Sequence, residues 1–382
     1  MVSNSSNKQL RIILNFFKIS LMRRRVFLLK TGLLGLSSLL PFGAIAMQKR
    51  PSWEALVEWA RWAPSVHNLQ PYRLKVVSEE KALLCYDPKF LLPVGDPKSE
   101  FSTAVMGVFV ESLSIAAAPH GFKVEMSDIL QTISTEYVDV QPFAQLHLIP
   151  SFSKESLAPE LMLKRRTSRT DYNGEPLSSG TVERCAAIVS NFGGKLFHTN
   201  DSEKVDMLVK INQATLFEDL SHGPMREELD GLFRYSKKEA EESRTGLWTR
   251  CMGFPGKLVK SVFSHHERWT KGARKKMLSG YYGNTYQGTA SILWIQHHWS
   301  TPEDQVNFGR ILCRIWLQLA KDDAYMHPFG SLITNPTAYD SLSKSLELDE
   351  KSDAPLAFIF RAGYSKEPPR SFRINTTDIL LP

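Results

Sequence analysis

Apolar residues recur at helical spacing from Trp53 onward. Trp53, Leu56, Val57 and Ala60 occupy positions i, i+3, i+4 and i+7, and charged residues occupy the opposite face. This pattern predicts an amphipathic helix. Pro64 marks its end, because proline cannot donate the backbone hydrogen bond that a continuing helix needs.

Four further stretches complete the first part of the chain. Residues 72–77 and 82–86 are short apolar segments separated by polar residues, which predicts a β-hairpin. Residues 104–118 are apolar around most of a helical circumference, so we predict a central buried helix there. Residues 145–149 are a strand candidate.

The same order of elements recurs beyond a predicted hinge near residues 151–159. The patterns predict a helix, a strand, a second apolar helix and a core strand at residues 181–190, 195–198, 306–320 and 356–361. Placing Gly107 on Gly309 also aligns Leu113 with Ile315. We therefore predict an α+β fold built from two fused repeats, residues 47–160 and 161–382.

An insertion of residues 212–290 separates the common elements of the second repeat. It is rich in charged residues, aromatic residues and glycine, with a predicted helix at 224–235 and a break at 252–256. Insertions of this size in compact domains are usually functional. We expect a helical lid over a ligand cavity.

The basic charge of the chain is concentrated at its N-terminus. Of the 47 Lys and Arg residues, seven lie in residues 1–46, which contain no Asp or Glu. The remainder carries 40 basic and 40 acidic residues, so we expect no nucleic-acid partner.

The N-terminal residues have the order of an export signal. Arg24–Arg25 precede an apolar stretch, residues 31–46, that ends in Ala-Ile-Ala. The arginine pair followed by Phe-Leu resembles the twin-arginine signal, which is read by the export machinery. We expect a protein of the periplasm or cell envelope, with the signal peptide cleaved after Ala46 or retained as an anchor. Met22 is an alternative start. This export route carries folded proteins and often cofactor-loaded ones.

Cysteines and histidines give no sign of a metal site. Four scattered cysteines, without a CxxC pair, favour buried thiols over a disulfide framework or a zinc site. The pairs His265–His266 and His297–His298 are weak metal candidates, because adjacent side chains point apart on a helix or strand. We expect no bound metal.

The first segment with chemical content follows the first helix and reads A-P-S-V-H-N-L-Q-P-Y from Ala63 to Tyr72. It resembles the flavin-binding segment of the nitroreductase family, A-P-S-x-x-N-x-Q-P-W, and only Tyr72 departs. The resemblance makes Pro64, Ser65, Asn68 and Gln70 candidate flavin-binding residues, with short polar groups at the ring edge and ribityl chain. An ordinary helix-ending loop is the alternative.

The second segment, residues 164–176, reads K-R-R-T-S-R-T-D-Y-N-G-E-P. It is similar to the arginine-rich opening of the same family, where two guanidinium groups and a hydroxyl hold phosphate and the pyrimidine edge of flavin. Arg165, Thr167 and Arg169 match those positions. A solvated basic run is the alternative.

The tail and the stretch after the second apolar helix supply the remaining candidates. The resemblance implies a phosphate-binding arginine near the C-terminus, and Arg373 fits this role best, with Arg370 as the alternative. It also implies that a backbone N–H within Pro328 to Ser331 approaches flavin N5, with Pro328 and Gly330 as the candidate residues.

Each predicted repeat keeps a different half of the site. The P-S-x-x-N segment lies in the first repeat, whereas the arginines and the tail lie in the second. The chain therefore resembles the internally duplicated, twin-arginine-exported (Acg-type) branch of the nitroreductase family, which implies a monomeric pseudo-dimer with a single composite FMN site.

The resemblance implies an FMN-dependent oxidoreductase. Electrons would pass through flavin to a nitroaromatic, quinone or similar small-molecule acceptor, and no catalytic side chain is required. The electron donor would be NAD(P)H or a redox partner in the envelope. The alternative function is a protein that binds or sequesters flavin without turnover.

Overall fold

A computed structural model of the chain describes residues 49–349 and 352–382. The predicted export signal, its cleavage point and the alternative start at Met22 lie outside the described residues. The described residues form a mixed α+β structure with two main sheets.

The first half of the fold consists of two helices and four strands. In chain order they are α1 (Trp53–Ala60), β1 (Tyr72–Val76), β2 (Lys81–Tyr86), α2 (Glu100–Ala117), β3 (Phe122–Ile129) and β4 (Gln141–Pro150). The strands pair in the order β1-β2-β4-β3, and every one of these pairs is antiparallel.

The second half repeats this sequence of core elements. They are α3 (Ser179–Ser190), β5 (Lys195–Thr199), β6 (Ile292–Gln296), α4 (Pro302–Lys321), β7 (Tyr325–Pro328) and β8 (Leu356–Gly363). Their sheet has the order β5-β6-β8-β7, again with antiparallel pairs throughout. The order of helices and the order of paired strands are therefore the same in both halves.

The two long helices α2 and α4 pack against each other in the main hydrophobic core. Among the described residues, the segment Glu100–His120 alone is long and apolar enough to cross a membrane, and 83% of it is buried inside the protein. Its composition is that of a central core helix, as the sequence predicts.

The insertion begins earlier than predicted. The expected boundary at residue 212 falls inside the helix Ser202–Ser221, because that helix continues without a break from its N-terminal cap, Asp201. The inserted segment thus occupies residues 200–291, between β5 and β6, where the first half has only the turn at residues 77–80. Its further helices are Gly223–Leu232, Lys237–Ser243, Gly256–Ser264, His266–Trp269 and Gly272–Asn284.

The C-terminal tail returns to the first sheet. Strand β9 (Leu380–Leu381) pairs in parallel with β1, with Leu380 opposite Leu74. The short helix Thr376–Ile379 precedes it and contacts α1 and β1. The last residues of the predicted second repeat therefore complete the sheet of the first, and carry Arg370 and Arg373 across to the loop that follows α1.

Candidate functional site

A cavity of about 430 Å³ lies where the loop after α1, the arginine segment, the insertion and the tail meet. Its volume is within the range of roughly 300–1,000 Å³ for small-molecule sites. The residues suggested by sequence that line it are Pro64, Ser65, Asn68, Arg165, Thr167, Arg169, Pro328, Gly330, Arg370 and Arg373. Elements far apart in sequence thus converge on one cavity.

The loop after α1 has a strained backbone. His67, Asn68 and Gln70 have φ angles of 46°, 60° and 55°, in the left-handed region that non-glycine residues rarely adopt. Such conformations persist only where the surroundings hold them, and they cluster at binding sites.

Gln70 is the exception among the predicted site residues. It is fully buried behind the loop and is not among the residues that line the cavity. Its Nε2 donates to the carbonyl oxygens of Arg244, at 2.8 Å, and Asn68, at 3.0 Å, and its Oε1 accepts from the backbone N–H of Ile374 at 3.1 Å. These partners occupy both ends of the amide, so Gln70 supports the loop from behind.

Ser65 and Asn68 line the cavity, but their polar atoms also have protein partners. Ser65 Oγ accepts from the backbone N–H of Gln70 at 3.1 Å. Asn68 Nδ2 donates to the carbonyls of Gly246, at 3.3 Å, and Phe372, at 3.2 Å. These contacts join the strained loop to the insertion and to the tail.

The arginine side of the cavity is buried and carries unpaired donors. Arg165 and Arg373 are only 7% and 8% exposed, and neither forms an ion pair with a described residue. The Nε atoms of both have no hydrogen-bond partner. The buried Nε1 of Trp316 and Oη of Tyr72 also have none. The Arg165 guanidinium lies 5.1 Å from the Trp316 ring centroid. The charges of Arg373 and Arg165 act on Tyr72, so all four residues belong to one region.

The electrostatics of this region favour an anion. Burial, with repulsion from Arg373 and Arg166, lowers the pKa of Arg165 to about 9. Burial also lowers the pKa of Arg373 and Arg169. Because buried charges are costly unless they are paired, two buried guanidinium groups without a carboxylate partner are suited to a dianionic group such as phosphate.

The other two arginines of the region lie nearer the surface. Arg166 pairs with Glu367 at 3.3 Å. Arg370 lies over the Trp62 ring at 4.9 Å and donates to the Leu163 carbonyl. Arg370 lines the cavity, but in contrast to Arg373 it is not buried, so Arg373 is the better-placed of the two tail candidates.

The insertion supplies an apolar, aromatic wall to the same cavity. Its lining residues include Phe233, Trp248, Phe254, Val262 and Tyr282. Asp219 also lies there and accepts a hydrogen bond from Ser331 Oγ at 3.1 Å. Burial raises the pKa of the Asp219 carboxyl.

Two further residues were not recognised from the sequence. His327 lines the cavity, and Arg361 lies directly behind it, wholly buried. The sequence places His327 beside Pro328 and Arg361 in a core strand, and an arginine within an otherwise apolar strand is the signal that could have revealed this pair. The described residues contain no group of three His, Cys, Asp or Glu placed to hold a metal ion.

No family model and no curated protein matches the chain. Solved structures do match it. An FMN-dependent nitroreductase, NfnB, from Mycobacterium smegmatis, in complex with NADPH, is 13% identical, with a TM-score of 0.33 over 56% of this chain and 92% of that chain. Iodotyrosine deiodinase bound to FMN and 3-iodo-L-tyrosine is also 13% identical, with a TM-score of 0.33 over 56% and 94%.

A third match is a nitroreductase with bound FMN from Desulfitobacterium hafniense, 11% identical, with a TM-score of 0.34 over 58% of this chain and 95% of that chain. At such low identity and TM-score, the case for a cofactor and a reaction depends on the chain's own residues.

Proposed function

We propose that the chain binds FMN in the cavity and acts as an FMN-dependent oxidoreductase of the nitroreductase type. The observation that carries this proposal is the buried pair Arg165 and Arg373, without a carboxylate partner, facing the same cavity as the strained loop that resembles a flavin-binding segment. An ordinary helix-ending loop would not need three left-handed residues held by the insertion and the tail.

The residues of the chain bind and orient the cofactor. Arg165 and Arg373 take the phosphate, and their unpaired Nε–H groups are available for it. Thr167 and Arg169 follow on the same segment and line the same cavity, where they would hold the flavin ring. Pro328 and Gly330, at the end of β7 and just after it, also line the cavity. Bound flavin supplies the electron-transfer chemistry, so no protein acid or base has to be assigned.

The wall formed by the insertion suits a planar, apolar acceptor such as a nitroaromatic or a quinone. Trp248, Phe254 and Tyr282 are aromatic and line the cavity. The donor is NAD(P)H or, in the envelope, a redox partner. We propose that the insertion acts as a lid over this site.

The same wall favours a second candidate, a protein that holds flavin without turnover. The insertion lines much of the cavity. Its backbone carbonyls at Arg244 and Gly246 accept hydrogen bonds from Gln70 and Asn68 in the loop after α1, so the insertion restricts access to the cavity. Export would support this alternative, because NAD(P)H is scarce outside the cytoplasm.

We also propose that the chain is exported by the twin-arginine route and that its fold arose by duplication.

The test is the absorbance spectrum of the purified chain, followed by titration with FMN. Flavin bands and saturable uptake are expected, and a chain that binds no FMN overturns the proposal. Reoxidation of the dithionite-reduced protein by a quinone or nitroaromatic dye separates an oxidoreductase from a sequestering protein, in which the dye would be excluded.

A further inference from the structure

Arg361 is held in one orientation behind the cavity wall. Its side chain is fully buried, and its guanidinium carbon lies 4.3 Å and 4.6 Å from the ring centroids of Tyr172 and Tyr286. Its two terminal nitrogens donate to Thr289 Oγ1 and to the Thr170 carbonyl, each at 2.9 Å. The third nitrogen, Nε, carries a single N–H, whose direction is fixed once these two contacts hold the guanidinium plane.

That donor meets the ring of His327. Arg361 Nε donates to His327 Nδ1 at 3.2 Å. A guanidinium group has donors and no acceptor, so Nδ1 must accept. A neutral imidazole that accepts at Nδ1 carries its proton on Nε2. The contact with Arg361 therefore fixes the tautomer of His327.

The charged groups around His327 keep the ring neutral. Arg361 lies on one side and Arg169 acts on it from the arginine segment, while the Tyr286 ring stacks at 5.7 Å. Burial and the two positive charges hold the pKa of His327 well below its usual range. Since the two charges that act on the pKa of the ring are both positive, protonation would place a third cation beside two others.

His327 faces the site from the strand next to the arginine segment. Met326, its neighbour in β7, forms an isolated β-bridge with Thr167. The carbonyl oxygen of Met326 accepts a hydrogen bond from the backbone N–H of Ser168 at 3.1 Å. His327 is 8% exposed and lines the cavity. Its Nε2 has no hydrogen-bond partner among the described residues, so this N–H is available to a ligand.

We propose that His327 donates its Nε2–H to an acceptor on the ring system of the bound flavin, and that Arg361 is the positioning residue that fixes this tautomer. The inference rests on the proposed function. The flavin ring carries acceptor nitrogens and carbonyl oxygens along one edge, and a neutral N–H donor suits such an edge.

The tautomer is measured first, on the full chain without flavin, by ¹⁵N NMR of the histidine rings, with H327Q assigning the signal. We expect Nε2–H and an unprotonated Nδ1 from pH 5.5 to 8.5. A His327 ring that carries its proton on Nδ1, or titrates within this range, overturns the inference without any ligand being involved.

FMN titration follows, for the wild type and three variants. H327L removes the donor and should weaken binding about two- to tenfold, the size expected for one neutral hydrogen bond. H327Q keeps an N–H at the Nε2 position and should stay within about twofold of the wild type. H327N has an amide that reaches only the Nδ1 position, so it should lose affinity as H327L does. It replaces H327L in the comparison if the leucine variant does not fold.

The outcomes separate the two proposals. Equal affinity of H327L, H327N and the wild type overturns the role of His327 while FMN binding stands. A wild-type chain that takes up no FMN overturns the proposed function and this inference with it.

Discussion

Gly107 and Gly309 occupy reciprocal positions in the contact between α2 and α4. A Cβ atom at Gly107 would lie 1.9 Å from the carbonyl oxygen of Val306, and one at Gly309 would lie 1.8 Å from that of Ala104. Gly107 thus lies against the residue three positions before Gly309, and Gly309 lies against the residue three positions before Gly107. Together with the identical strand orders of the two sheets, this reciprocity supports the proposed duplication.

Replacing either glycine by alanine should destabilise the protein by about 2 kcal/mol or more, because the new methyl group meets backbone atoms that cannot move independently. G280A is the matched control: Gly280 also lies in a helix, but a Cβ there meets nothing within 4 Å, so alanine should be neutral or stabilise by up to about 1 kcal/mol. Urea unfolding measures both. G107A as stable as G280A would contradict the close contact.

The arginine site predicts opposite effects on stability and on binding. R165M and R373M should each weaken FMN binding about ten- to a hundredfold, through loss of a charge-assisted contact of about 1.5–3 kcal/mol. The flavin-free variants should be more stable than the flavin-free wild type, because a buried unpaired charge is removed. R268M, at an exposed arginine outside the cavity, should change neither. Thermal unfolding with and without FMN tests this, and a loss of stability without flavin would show that the arginines are structural.

His67 predicts a loss of stability in acid. Its pKa is lowered to about 4 by burial and by the charge of Arg169, whereas the unfolded value is about 6.5. The unfolded chain therefore binds more protons between these values, and stability falls as pH decreases from about 6.5 to 4. The pKa of His327 is also lowered, so His327 adds a loss of stability of the same sign as pH falls below the unfolded value of about 6.5.

H67N separates the two contributions. Asparagine does not titrate and tolerates the left-handed backbone at this position better than histidine does. The variant should be more stable at neutral pH and should show a shallower loss of stability between pH 6.5 and 4. The free energy of unfolding is measured with urea at several pH values. If it falls with decreasing pH as steeply in H67N as in the wild type, His67 is protonated equally in the folded and unfolded states.

The sequence predicts the core helices better than it predicts the strands. The predicted helix from Trp53 is confirmed, although it ends at Ala60 rather than at Pro64, and the predicted helix 306–320 lies within α4. Strand β6, which is central and wholly apolar at residues 292–295, was missed because buried strands show no alternation. β3 was missed because its outer residues are polar and lie at the sheet edge.

Within the site, sequence reasoning finds the residues but not their partners. Gln70 matches the family pattern, yet its partners include Arg244 and Ile374, which are more than 170 residues away. Spacing along the chain cannot show whether an amide faces a ligand or a backbone carbonyl. For the same reason the pairing of His327 with Arg361 depends on the antiparallel register of β7 and β8, in which the two residues are opposite.

The composite site predicts one FMN per chain. The strained loop lies in the first half of the fold and the arginines lie in the second, or in the tail that returns from it, so one cavity uses both halves. The position in the second half that corresponds to the loop after α1 follows α3, where the chain turns at residues 191–194 into β5 without a P-S-x-x-N segment. A chain of this kind should bind flavin as a monomer. Released FMN divided by protein concentration, with mass from light scattering at dilution, checks this. Two flavins per chain, or release of flavin when a dimer dissociates, would show that the site is built between chains.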